Sequence, residues 1–169
     1  MNYKLNVIIQ GGSNCYMTSI LSFIEIHRIK HTEESKCLDL EGVLVPEIWI
    51  AFAKETGIPE LEKTTRDEPD YDKLMNYRIN ILKEHGLGLK EIQETIAKID
   101  PMPGAKEFLD ELRSITQVII ISDTFSQFAG PLMKKLGWPT IFCNELEVAE
   151  DGEITGFRMR CEQSKLTTV

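Results

Sequence analysis

Gln117-Val118-Ile119-Ile120-Ile121-Ser122 is an almost unbroken β-branched run. It offers no alternate polar face to water, so it predicts a strand covered on both sides, as the central strands of parallel sheets are. A helical stretch over 104–114 precedes it, a second over about 126–136 follows, and a short strand is expected at 140–143. Strand, helix and strand in this order imply right-handed crossovers and a parallel sheet, with ligands at the C-terminal ends of the strands. The expected class is α/β with a Rossmann-like parallel core. Residues 146–159 read as a β-hairpin turning at Asp151-Gly152.

Upstream the pattern differs. Residues 5–9 read as a strand, followed by a turn at Gly11-Gly12 and a helix up to about His31. Cys37-Leu38-Asp39-Leu40 is a short buried-strand candidate, apolar apart from its Asp. Pro46 falls where a helix favours its first turn and Gly57 where a helix stops, which predicts a helix over 46–56. Residues 58–71 are charged and loop-like, and amphipathic helices are expected at 71–85 and 89–99, around Gly86-Leu87-Gly88. His85 reads as a helix C-terminal residue favoured by the dipole rather than as a ligand. This helical block interrupts the α/β alternation and is expected to sit over the strand ends. The chain thus divides into an N-terminal extension (1–36), a core (37–46 and 101–169) and a helical cap (47–100).

At 169 residues the chain can bury one proper core. Acidic residues outnumber basic ones 27 to 19, and no basic block offers a footprint for nucleic acid. No apolar run approaches the roughly 18 residues of a membrane span. The N-terminus does not read as a signal peptide, because Glu25 interrupts the apolar stretch and no small-residue cleavage site follows. Cys15, Cys37, Cys143 and Cys161 form no C-x-x-C pair and have no His at metal-ligand spacing. Reduced, mostly buried thiols in a cytoplasmic protein are expected.

Three places can carry chemistry. Asp39 ends an apolar strand, and Glu41 lies two residues on, on the same face by the strand period. A carboxylate nucleophile needs no activating base, but it needs a cation to offset a phosphate dianion, and magnesium held by oxygens suits that task. Glu41 would then protonate a leaving alkoxide and deprotonate water. The plainer alternative is a turn with two solvated acids. Ser122-Asp123-Thr124 ends the strongest strand, where a hydroxyl can donate to a phosphoryl oxygen. Ser122 and Asp123 equally suit helix N-caps. Lys165 can neutralise phosphate, or be merely a surface lysine in a polar tail.

Asp39-Leu40-Glu41-Gly42-Val43-Leu44-Val45-Pro46-Glu47, together with Ile121-Ser122-Asp123-Thr124, resembles the haloacid dehalogenase superfamily of phosphotransferases. More narrowly, the chain is similar to the bifunctional phosphoserine phosphatase/homoserine phosphotransferase branch. The likeness runs from about Cys37 onward and includes Thr64-Thr65-Arg66-Asp67, Pro69-Asp70-Tyr71-Asp72 and Gly156-Phe157. The resemblance implies that Asp39 forms an aspartyl-phosphate and binds magnesium. It makes Glu41 the acid/base, which also lends its backbone carbonyl to the metal. Ser122 would hold the phosphoryl group with the neighbouring Asp123 and Thr124, and Lys165 in Glu162-Gln163-Ser164-Lys165 fits the third-motif lysine. Glu47 would read the substrate ammonium and Arg78 its carboxylate, with Arg66 the alternative clamp. Arg78 reads equally as a solvent-facing residue of an amphipathic helix.

The family's fourth motif, G-D-x-x-N-D, does not occur in the sequence, so the chain is expected to be truncated before it. The front also differs, with Glu33-Glu34-Ser35-Lys36 before the first motif. Residues 3–9 are expected to pair with the strand at 37–41, where the missing strand would lie. Three readings of function follow. The first is magnesium-dependent hydrolysis of phosphoserine, with phosphoryl transfer to homoserine. The second is a non-catalytic remnant that binds a phosphorylated amino acid. The third is a phosphatase for another small phosphomonoester. The expected partner is a small phosphorylated amino acid, and a homodimer is left open.

Overall fold

A computed structural model describes residues 6–8 and 36–161. Its sheet has five strands in the order β1 (Asn6–Ile8), β2 (Lys36–Leu38), β3 (Val118–Phe125), β4 (Thr140–Val148) and β5 (Ile154–Arg158). The first four run parallel, and β5 returns antiparallel to β4. This is the α/β fold with a mostly parallel sheet that the sequence led us to expect.

β3 lies between β2 and β4, with Leu38 opposite Ile120 and Ile120 opposite Ile141. Val118, Ile120 and Ile121 are buried, as a strand covered on both faces requires. β1 pairs with β2, Val7 opposite Cys37, so residues 6–8 of the N-terminal segment take the position beside the first-motif strand. The helix expected up to His31, Cys15 and the Lys165 motif lie outside the described residues. Cys37 and Cys143 are free thiols, Cys37 buried and Cys143 half-buried, and Cys161 is half-buried too.

Between β2 and β3 come α1 (Ile48–Thr56), a short 3-10 helix (Pro59–Glu62), α2 (Tyr71–Glu84), α3 (Leu89–Ile96) and α4 (Ala105–Ile115). The 3-10 turn falls in the stretch expected to be loop. α1 starts at Ile48, two residues after Pro46, because the Ile48 N–H donates to the carboxylate of Glu41 (2.9 Å) and opens the helix there. It ends on Gly57 in the left-handed conformation (φ 70°). α4 buries Ala105, Phe108, Leu109 and Leu112, one stripe at helical spacing. The chain leaves the sheet layer after Leu44 and comes back at Met102, whose N–H donates to the Leu44 carbonyl (2.9 Å).

α5 (Ser126–Lys135) joins β3 to β4 and contains Pro131. Proline lacks an N–H, so the carbonyl four residues earlier loses its helical partner. That carbonyl belongs to Gln127, and Gln93 of α3 donates to it instead (3.0 Å). The Gln127 side chain meanwhile pairs both ways with the backbone of Leu146 on β4, at 3.0 Å each.

β4 is one continuous strand where the sequence suggested a short strand and a separate hairpin arm. Its first half pairs with β3 and its second half with β5. The hairpin turns at residues 149–153, with Gly152 at φ 89°. Its tip meets the helices: the Leu89 N–H donates to the Gly152 carbonyl (2.8 Å), and Lys83 pairs with Glu153 (2.7 Å). A Cβ on Gly88 would sit 3.0 Å from that same carbonyl, so a larger residue there would push the hairpin tip back by a few tenths of an ångström. One apolar core runs through both layers, from Leu38 and Ile120 to Phe52, Leu82 and Ile92. No helix among the described residues is long and apolar enough to cross a membrane.

Candidate active site

Asp39 is the first residue past β2, and a tight turn follows it. Gly42 donates to the Val45 carbonyl (2.8 Å), while the N–H groups of Leu44 and Val45 both reach the Leu40 carbonyl (2.9 and 3.1 Å). Gly42 has φ 73°, a conformation that side-chain-bearing residues avoid. Leu40, Leu44 and Val45 are fully buried, and this anchors the turn. The turn keeps Glu41 half-buried beside Asp39 and presents its carboxylate to the N-terminus of α1.

The neighbouring strand end is bulged. Ile121 faces Phe142 and Phe125 faces Asn144, so Ser122-Asp123-Thr124 leave the regular ladder. Bulges re-aim side chains at the ends of strands. Ser122 and Thr124 are buried, and the Thr124 N–H donates to Ser122 Oγ (3.3 Å). Asn144, also buried, donates through Nδ2 to the Asp123 carbonyl (2.9 Å), and its Oδ1 accepts from the Arg160 N–H (3.0 Å). α5 begins after Phe125 and has no side-chain cap. Ser122 and Asp123 are therefore not helix caps.

The helices supply the opposing wall. Arg78 is only 6% exposed, although it carries the charge of an otherwise apolar α2 face of Leu74, Met75, Ile79 and Leu82. Its guanidinium lies over the Trp49 ring (4.5 Å to the centroid), and Nη2 donates to the Lys63 carbonyl (2.7 Å). Arg78 Nε is the one buried side-chain nitrogen or oxygen with no hydrogen-bond partner among the described residues. Burial brings its pKa down to about 10, although Tyr71, Glu41 and Glu47 favour the charge. The solvent-facing alternative for Arg78 is thereby excluded.

These walls enclose a cavity of about 300 Å³, lined by Asp39, Glu41, Glu47, Trp49, Ile50, Thr64, Thr65, Tyr71, Arg78, Ser122, Asp123 and Thr124. Seven of the expected site residues thus converge, drawn from two strand ends and two helices. Arg66 is exposed and does not line the cavity; its backbone N–H donates to Thr64 Oγ1 (3.3 Å). Trp49, Ile50, Thr64, Thr65 and Tyr71 were not anticipated as site residues.

Glu41 is the electrostatic centre. Burial raises its carboxyl to about 7, with the Asp39 carboxylate adding to the rise. The Ile48 N–H, the Thr124 hydroxyl and Arg78 pull the other way. A carboxyl that titrates near neutrality can both give and take a proton. Asp39 and Glu41 bring carboxylate oxygens to the cavity, which suit a hard divalent cation. Among the described residues no group of three His, Cys, Asp or Glu gathers to hold a metal, so carbonyl, water or substrate oxygens would have to complete the shell.

Comparison with known proteins places these features. ThrH, a phosphoserine phosphatase of Pseudomonas aeruginosa, is 55% identical over 136 residues, which cover 80% of this chain and 66% of that protein. The chain is a homologue of phosphoserine phosphatases. The phosphoserine phosphatase of Pseudomonas syringae pv. tomato is 53% identical over 136 residues, covering 80% of this chain and 57% of that one. The chain therefore spans about two thirds or less of the length of these two homologues. The crystal structure of phosphoserine phosphatase from T. onnurineus matches with a TM-score of 0.57 at 25% identity, over 79% of this chain and 68% of that one. No protein-family model matches the chain.

Proposed function

We propose that this site hydrolyses phosphoserine. The observation that carries the reading is the meeting, in one cavity, of Asp39, a Glu41 that titrates near 7, Ser122 and the buried Arg78. An Asp39 carboxylate oxygen attacks phosphorus, and the bond from phosphorus to the serine oxygen breaks. Glu41 gives its proton to the departing alkoxide. The ionised Glu41 then takes a proton from water, whose oxygen attacks the aspartyl-phosphate. Phosphate leaves and the Asp39 carboxylate is restored. With homoserine in place of water, the same intermediate would pass the phosphoryl group to its hydroxyl.

The Ser122 hydroxyl would hold a phosphoryl oxygen, with Asp123 and Thr124 shaping that end of the cavity. Arg78 Nε would donate to the substrate carboxylate, and Glu47 would accept from the ammonium. Asp39 and the Glu41 carbonyl would hold magnesium, which when bound offsets the negative charge of the phosphate. Lys165 would add positive charge there. The helical block 47–100 would act as the cap over the core.

The test is phosphate release from phosphoserine, measured beside phosphoethanolamine and sugar phosphates, with and without magnesium. Turnover of phosphoserine that Asp39→Asn abolishes is the expected result. Undiminished turnover in that variant would rule the mechanism out. Stabilisation by phosphoserine without phosphate release would favour a binding protein, and preference for another ester would reassign the substrate.

A further inference from the structure

Tyr71 lines the cavity but has no part in the chemistry above. Its hydroxyl donates to the backbone carbonyl of Asp123 (3.3 Å), the same oxygen that accepts from Asn144 Nδ2 (2.9 Å). A carbonyl oxygen has two lone pairs, and here one is taken from the helical wall and the other from β4. The N–H of that same peptide unit belongs to Thr124 and donates to Ser122 Oγ (3.3 Å). A serine oxygen that accepts a backbone N–H is left with its own O–H to donate elsewhere. Ser122 is 1% exposed and lines the cavity, so the cavity is where that proton can find an acceptor.

We propose that Tyr71 is a positioning residue: with Asn144 it clamps the Asp123–Thr124 peptide from two sides and so aims the Ser122 hydroxyl into the cavity. The clamp links α2 to the bulged end of β3, so Ser122 is set only while the helices are seated on the sheet. The surroundings of Tyr71 suit the task. Its ring is fixed edge-on against Phe157 (5.9 Å between centroids), and Asp70, accepting from the Lys73 N–H (3.1 Å), caps the helix that carries it. Burial, and then the Asp123 carboxylate, push the phenol well above its ordinary pKa, so it remains a donor.

The role in turnover rests on the phosphatase reading, and the test separates the two. Tyr71→Phe keeps the ring and its packing and removes only the hydroxyl. In the full chain we expect kcat for phosphoserine to fall about three- to tenfold with KM unchanged, the effect of one ordinary hydrogen bond. We also expect faster hydrogen exchange at the Thr124 amide, with the melting temperature lowered by no more than the few degrees that one hydrogen bond is worth. Unaltered kcat, or loss confined to KM, would overturn the positioning role. Unaltered Thr124 exchange would overturn the clamp whatever the turnover. A parent chain that fails to hydrolyse phosphoserine would sink the phosphatase reading instead, with the exchange measurement still deciding the clamp.

Discussion

At the residue scale, Glu41 combines a stability cost with a carboxyl poised near neutrality. Its folded-state pKa of about 7 stands above the ordinary 4.5. A carboxyl raised on folding favours the folded state below its unfolded pKa, and that contribution is lost as pH rises through the folded value. Stability of the metal-free chain should therefore fall between about pH 4.5 and 7. Glu41→Gln keeps an oxygen for the Ile48 N–H and should flatten that slope, gaining roughly 2–3 kcal/mol at pH 8. Urea unfolding at pH 5 and pH 8 checks both variants, and parallel slopes would refute the assignment. Arg78→Lys loses the planar group over Trp49 and the open Nε. KM for phosphoserine should rise roughly ten- to hundredfold while kcat moves little, as steady-state kinetics will show. Asp39, Glu41 and Ser122 were legible because their strands end in polar residues. Arg78 against Arg66 was not settled, although the signal existed: Arg78 sits in the middle of the apolar stripe 74, 75, 79 and 82.

At the element scale, the strands and helices followed their periodicity, and the misreadings have local causes. β3 continues to Phe125 because the bulge carries three polar residues through a strand whose apolar pattern stops at Ile121. β4 reads as two pieces because its partners change halfway along. Pro131 inside α5 leaves the Gln127 carbonyl to Gln93. Gln93→Ala should therefore cost about 1 kcal/mol. In a Pro131→Ala background the helix supplies the missing N–H itself, so the Gln93→Ala cost should shrink towards zero. A double-mutant cycle by chemical denaturation measures this coupling, and strict additivity would sink the account.

At the scale of the whole molecule, pairing of β1 beside β2 and the parallel sheet were foreseeable from the segment order. The ties between helices and hairpin were not, since Leu89 meets Gly152, and Tyr71 meets Phe157, only in three dimensions. The bond from Met102 to Leu44 joins the two ends of the helical excursion at one point. If the helical block swings, that point would be its pivot, with the contacts of Tyr71, Gln93 and Leu89 on the moving edge. Opening the cavity would then break the swinging edge while sparing the pivot. Amide exchange should show it: the Leu89 amide should open well before that of Met102, and equal protection would argue against such a motion. The molecule would then admit its ligand as a door does, held at the frame and released at the latch.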